Sequence, residues 1–447
     1  MVILERLATS SHPQVLRVRA TAHEPDFDVP WSVTERERVG VAVAVAPRRV
    51  VTLASVVAWA VDPARIVAID HDRDLALLAT DEDVPVAELD DMPAIGDLVL
   101  LVGESVGHGV TKELGLTRYA HSQRHLICFT VDPRQPLDPG GAAVMRNGKL
   151  TGLVMQPDDE QRVEVIPAAM IRAFLDGVDK PPGVPALGVG FQSLKNPAMT
   201  ARFGAGGIVI TSVDLAGTCD GIVRPLDVLL SIDGVAVDAD GLVAYAGQAL
   251  RHYVLLGTKH AGDRMRLELR RDGVAREVEV TLAPWVPLVP SAPRDRAPRY
   301  VVFGGLVFQP LTRDYLTTWE TWWNNAPKEL LTAFYLGRRT AERHELLVLT
   351  EVLEGPLTTG YDTYVNETVV RVADRVPRDL AELARLLEDA RGTVTFEMSS
   401  GALLVCDVDA VRQASAGIRD EHEIPHDRAL SGNGDGFNLR NLRSPSR

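Results

Sequence analysis

Ser55, His71 and Asp74 fall within twenty residues of one another and are the types that could carry hydrolytic chemistry. A serine hydrolase needs a nucleophile, a base within hydrogen-bonding reach, a carboxylate to orient the base, and backbone N–H groups aimed at the oxyanion. His71 lies three residues before Asp74, near the same strand, and cannot easily swing round to a place beside Ser55. It reads as a solvated surface histidine. Ser55 is then a hydroxyl without a base, satisfied by backbone. His108, His121 and His125 are scattered over loops and strand edges without metal-ligand spacing. Cys128, Cys219 and Cys406 are odd in number and far apart, which indicates neither a disulfide framework nor a zinc cluster. Each reads as a small buried hydrophobe. No metal and no cofactor is expected. Residues 136–144 read PLDPGGAAV, a glycine pair that follows a proline where a nucleophile could stand.

The elements that must hold these residues are short strands. VGVAVAVAPRRVVTLASVV (39–57) reads as a β-hairpin turning at Pro47. Strands follow at 65–70, 74–80, 97–103, 125–131 and 149–156, broken by Gly, Pro and Asp, as in a barrel or sandwich. A helix is expected from Pro167 to Gly177, where Met170, Ile171, Phe174 and Leu175 recur at helical spacing. Two Pro-rich stretches, 178–185 and 283–298, mark domain boundaries. Between them, 264–282 forms a hairpin around Asp272-Gly273. After them come strands at 300–312, 345–353, 368–377, 393–398 and 402–408, and a helix at 379–390 that Asp379 and Glu382 cap. The two C-terminal segments look like divergent copies of one small β-rich unit. The polar, Gly-rich end is expected to be disordered.

At 447 residues the chain has room for about three domains. Its 46% apolar and 24% charged residues suit a globular protein. Forty-seven basic against sixty-one acidic residues give a net charge of -14, which repels a phosphate backbone, so nucleic acid is not an expected partner. The first twenty residues carry Glu5 and Arg6 and no apolar run typical of a signal peptide. No run of about 18 apolar residues suggests a membrane span. A cytoplasmic location is the default expectation.

The N-terminal part resembles the HtrA/Do (Deg) serine proteases. VVTLASVV matches the family's motif around its histidine and puts Ser55 at the histidine position; DRDLALL matches the aspartate strand and retains Asp74. The family's G-N-S-G-G-P aligns with Leu137, Asp138, Pro139, Gly140, Gly141 and Ala142. The nucleophile position is therefore Pro139, which has neither an attacking group nor a backbone N–H. Leu137, Asp138 and Gly140 remain as a vestige of the oxyanion loop. The resemblance implies a mainly β chain, with a trypsin-like double β-barrel followed by two PDZ-like α+β domains. The expected divisions are 1–180 for the degenerate protease domain, 184–288 and 297–428 for the PDZ domains, and 429–447 for a disordered tail.

In the first PDZ-like domain the resemblance places the carboxylate-binding loop and strand at Leu187, Gly188, Val189, Gly190 and Phe191. A peptide would add a strand there and deliver its carboxylate to loop N–H groups. FGGLVF (303–308) is the corresponding loop expected in the second. Together with Trp31, KNP (195–197), GYDTYVNETVVRV and IPHDRA, these features resemble the plant and bacterial Do-like group over nearly the whole chain. The resemblance implies a homo-oligomer, a trimer or a multiple of three, with core packing or an oligomer contact as readings of Trp319, Trp322 and Trp323. The expected function is an inactive protease homologue that binds peptides or unfolded segments as scaffold, chaperone or regulatory subunit. The alternative is an active serine-type endopeptidase with a rearranged site.

Overall fold

The computed structural model describes residues 1–7, 12–119, 124–138, 140–155, 163–291 and 296–431. The chain forms two compact units, residues 1–22 with 37–285 and residues 23–36 with 286–447.

The first unit opens on a six-stranded antiparallel sheet of β1 (Val2–Arg6), β2 (Val15–Pro25), β3 (Val33–Ala46), β4 (Arg49–Leu53), β5 (Ile66–Asp70) and β6 (Leu75–Ala79), in the order β1-β2-β3-β4-β6-β5. The alternation of valine with small residues in β3 does not expose one face. Gly40 through Ala44 are all buried, so small side chains pack on both sides of the strand. The turn to β4 follows Pro47 and takes a positive φ of 55° at Arg48. A single helical turn, α1 (Ala54–Val57), leaves β4 directly.

Six more strands close a barrel: β7 (Leu98–Val102), β8 (Val106–Arg118), β9 (His125–Pro133), β10 (Ala143–Arg146), β11 (Lys149–Val154) and β12 (Val163–Pro167), in the order β10-β11-β12-β9-β8-β7. Gly109 in β8 admits its neighbour, since a Cβ there would lie 2.4 Å from Val131 Cγ1. Helix α2 (Ala168–Asp176) follows Pro167 as expected and buries Met170, Ile171 and Phe174.

A third sheet-based part completes this unit. β13 (Pro185–Ala186) pairs with the last strand, β22 (Ala283–Pro284). The main sheet runs β14 (Val189–Ser193), β15 (Ile208–Val213), β16 (Val228–Ile232), β20 (Arg264–Arg271), β21 (Val274–Thr281), with β17 (Val235–Ala236) beside β16. Helix α3 (Pro197–Phe203) is capped by the Asn196 side chain. The central segment is a small hairpin, β18 (Leu242–Tyr245) and β19 (Gln248–Arg251), followed by one 3-10 turn from His252 to Leu256. Asp272 and Gly273 make the β20–β21 turn with φ of 52° and 80°, the pair of left-handed residues that a two-residue hairpin requires.

The second unit has a four-stranded sheet in the order β25 (Leu347–Val352), β24 (Leu306–Pro310), β23 (Tyr300–Phe303), β29 (Arg428–Ala429), and a three-stranded sheet of β26 (Val369–Val372), β27 (Thr393–Met398) and β28 (Leu403–Asp407). Its helices are α4 (Arg313–Leu316), α5 (Trp322–Asn325), α6 (Lys328–Leu336), α7 (Leu380–Asp389) and α8 (Val408–Glu421). Asp379 caps α7 by accepting from the Glu382 amide, while Glu382 accepts from the Arg378 amide. Residues of the β2–β3 tip belong here: Trp31 packs edge-on to Tyr300 at 5.6 Å, and Phe27 O accepts from Gln309 Nε2.

Two expectations change. FGGLVF, expected as the counterpart of the carboxylate-binding loop, is a tight hairpin, because Gly304 and Gly305, at φ of 62° and 95°, let β23 fold straight back onto β24. Ala429, assigned from sequence to the tail, pairs with Tyr300 in β29, and residues 432–447 lie outside the described residues.

Candidate functional site

Asp74 stands at the start of β6, fully buried, with a left-handed φ of 50° that aspartate tolerates better than most residues. Its backbone carbonyl accepts from the Ala54 amide at 3.0 Å, which fixes α1 against it. Ser55, the second residue of α1, donates its amide to Oδ1 at 2.6 Å and its hydroxyl to Oδ2 at 3.0 Å. Arg38, half-buried on β3, donates to the Ser55 carbonyl. Burial pushes the Asp74 carboxyl up to about 6, against the pull of the Ser55 hydrogen bonds and of the charges on His71 and Arg38. Among the described residues no histidine hydrogen-bonds Ser55, so the site has a carboxylate and a hydroxyl and no imidazole between them.

Leu137, Asp138 and Gly140 lie between β9 and β10; Pro139 lies outside the described residues. Asp138 is held by its neighbours. Asp138 Oδ2 accepts from the Ser105 amide at 2.7 Å and its hydroxyl at 2.8 Å, and Asp138 O accepts from the Gly141 amide at 2.9 Å. A cavity lined by Leu101, Gly103, Ser105, Leu137, Asp138 and Ala142 has a volume of about 10 Å³, room for one water at most. The segment meets α1 across Gly40: a Cβ on Gly40 would lie 2.6 Å from Val56 Cγ2, and one on Gly140 would lie 3.8 Å from Gly40 Cα. Gly40 thus touches both α1 and Gly140, which brings the stretch after Asp138 near Ser55 and Asp74.

His71 is buried, at 6% exposure, which overturns its reading as a solvated residue. The turn that carries it is tied inward. Arg73, 1% exposed, pairs with Asp70 at 2.5 Å and donates to the carbonyls of Gly183, Gly257 and Lys259, while Asp72 accepts from the Val184 amide at 2.9 Å. Sequence reasoning found neither Arg73 nor Arg38 nor Ser105, since a single charged or hydroxyl residue in a loop has no spacing signal. His108 lies in β8 and His125 begins β9; His121 lies outside the described residues. Cys128, Cys219 and Cys406 are buried free thiols, and burial pushes the first two up to about 12.

In the module from Pro185 to Pro284, β14 forms the end of its sheet. Gly188, at φ of 67°, turns the chain from β13 into it and accepts from the Asp214 amide through its carbonyl at 2.8 Å. Leu187 is buried, and Val189, Gly190 and Phe191 are half-buried. Phe191 meets His252 edge-on at 5.0 Å, so one side of the strand is lined by an aromatic pair. Burial holds His252 below the usual histidine range.

This arrangement has relatives. The chain is 24% identical over 450 residues to "Putative protease Do-like 3, mitochondrial" from Arabidopsis thaliana, across 92% of this chain and 78% of that one. "Protease Do-like 2, chloroplastic" from the same plant is 25% identical across 93% and 74%. Over about nine-tenths of its length the chain is thus similar to Do-like proteases. A PDZ-domain family model matches residues 289–431. Among solved structures, "HtrA-type protease AlgW with decapeptide" covers 61% of it at 20% identity and a TM-score of 0.45. The mainly β architecture and the PDZ match agree with the fold class expected from sequence. No helix among the described residues is long and apolar enough to cross a membrane. Trp319 and Trp322 are half-buried in the Leu311–Tyr315 cluster, whereas Trp323 is 58% exposed.

Proposed function

We propose that this Do-like chain is a catalytically inactive homologue that captures peptide segments of unfolded or partly folded proteins at the β14 edge. One observation carries the loss of catalysis: at the base position stands Ser55, whose amide and hydroxyl are both committed to Asp74. A serine hydroxyl is no general base, and this one already donates its proton to Asp74, so it cannot take a proton from a nucleophile as an imidazole would. Pro139 removes the nucleophile and one oxyanion donor by its chemistry alone. The space beside Asp138, about 10 Å³, is smaller than a substrate side chain.

Capture is supported by the free end-of-sheet position of β14, with Gly188 and Gly190 at its start. Strand addition takes its affinity from main-chain hydrogen bonds and so suits unfolded segments of varied sequence. Assembly as a homo-oligomer belongs to the same reading. The test pairs two measurements on the purified full chain: casein hydrolysis with fluorophosphonate labelling, and binding of reduced, carboxymethylated α-lactalbumin. We expect no cleavage, no label and saturable binding; cleavage with label at Ser55 overturns the reading in favour of a rearranged endopeptidase.

A further inference from the structure

The two C-terminal modules treat the strand that would receive a peptide in opposite ways. In the first, the preceding strand β13 pairs away with β22, and β14 is left at the end of its sheet. In the second, β24 has a neighbour on each side. β25 pairs with one edge, and β23 lies antiparallel along the other with Val301 opposite Phe308, Val302 opposite Val307 and Phe303 opposite Leu306. Helix α7 packs against both β23 and β24. β23 thus runs where an added strand would lie, between the receiving strand and a helix.

The hairpin is closed by its own chemistry. A two-residue turn directs the Leu306 amide back to Phe303, so that amide is taken by the hairpin and not offered to a carboxylate. Its glycines are covered: a Cβ on Gly304 would lie 2.6 Å from Val411 Cγ2, and one on Gly305 would lie 2.9 Å from Thr358 Cγ2. The Gly305 carbonyl accepts from the Leu353 amide at 2.8 Å. On its far edge β23 pairs with β29, and the Val302 amide donates to Asp427 O at 2.7 Å. Tyr300, Val301 and Phe303 are all buried, and the Tyr300 hydroxyl donates to His426 O. A competing peptide would have to extract all of this before gaining one ladder bond.

We propose that β23 is a built-in occupant of the second module, so that this module is permanently closed to peptides and each chain captures at the β14 edge alone. This inference rests on the peptide-capture reading only for its second half. Two experiments on the full chain separate the halves. By hydrogen exchange, the amides of β23 and β24 are expected to exchange in the slowest class of their unit; exchange within seconds across β23 overturns the closed module whether or not any peptide binds. The second experiment introduces Val302→Cys with Val307→Cys, a facing pair within disulfide range that locks the hairpin when oxidised; the three native thiols are buried. Oxidised and reduced forms are expected to bind reduced, carboxymethylated α-lactalbumin within twofold of each other. A fivefold or greater loss on oxidation overturns the proposal. Absence of binding in both forms refutes peptide capture, while the exchange result still decides the closure.

Discussion

Ser55, itself half-buried, satisfies both oxygens of the fully buried Asp74, its amide at Oδ1 and its hydroxyl at Oδ2. The carboxylate thus has a structural task in holding α1 to the start of β6. It also has a cost, because burial lifts its carboxyl to about 6. Between the ordinary 3.8 and that value the folded chain binds a proton that the unfolded chain does not. Stability therefore falls as pH rises through this window, by about 3 kcal/mol at about 1.4 kcal/mol per tenfold.

Asp74→Asn removes the charge and keeps an acceptor for the Ser55 amide. The variant is expected to be more stable than the parent above pH 6 by roughly 1–3 kcal/mol, with no advantage below pH 4. Urea unfolding at pH 7.5 and pH 4 measures both. A variant less stable at pH 7.5 would show that the carboxylate is stabilised by Arg38 and Ser55 beyond its burial penalty.

Burial acts with the opposite sign on His252 and His260, holding each below the usual range of about 6.5. Here the unfolded chain binds the proton first, so stability is lost as pH falls below 6.5. The His260 ring donates Nε2 to Ala173 O at 2.9 Å, and the His252 ring meets Gly241 O at 3.1 Å through Nδ1. In an NMR titration the midpoint of both rings is expected below 6.5; a midpoint at or above 6.5 for either would contradict its burial.

Arg73 joins the turn before Asp74 to three carbonyls and to Asp70. Removing one partner of a buried ion pair leaves the other uncompensated, so Arg73→Met is expected to cost about 3–5 kcal/mol. Arg73→Met with Asp70→Asn is expected to recover part of that. Limited proteolysis reads the same contact locally: cleavage within residues 178–185 should speed up in the single variant. Equal melting of parent and Arg73→Met would refute a role in holding the turn.

The sequence showed the β3–β4 hairpin, β5, β6 and, in the barrel, β7, β9 and β11, because those signals are local: valine-rich runs and a DLALL strand; β10 and β12 went unread. β8 escaped because Gly107, Gly109 and Gly115 read as breakers, although Gly109 is needed for the approach of Val131. FGGLVF was misjudged for a related reason. Two glycines serve an open loop and a tight turn equally well, and only the pairing of Val302 with Val307 decides between them. Arg73 and Ser105 were illegible because their partners lie 110 to 186 and 33 residues away.

Restoring the missing groups tests the alignment itself. Pro139→Ser alone adds a hydroxyl and an amide but no base, and is expected to stay unlabelled by a fluorophosphonate. Ser55→His with Pro139→Ser places an imidazole where Asp74 can accept its N–H, which is the relation a triad requires. The double variant is expected to be labelled at residue 139. Casein hydrolysis should remain far below its labelling rate, because Asp138 still holds Ser105 by two hydrogen bonds and the adjoining cavity admits no side chain. Labelling of the single variant would show that another base reaches residue 139. An unlabelled but folded double variant would place Ser55 away from the base position, and would return the loss of chemistry to the proline alone.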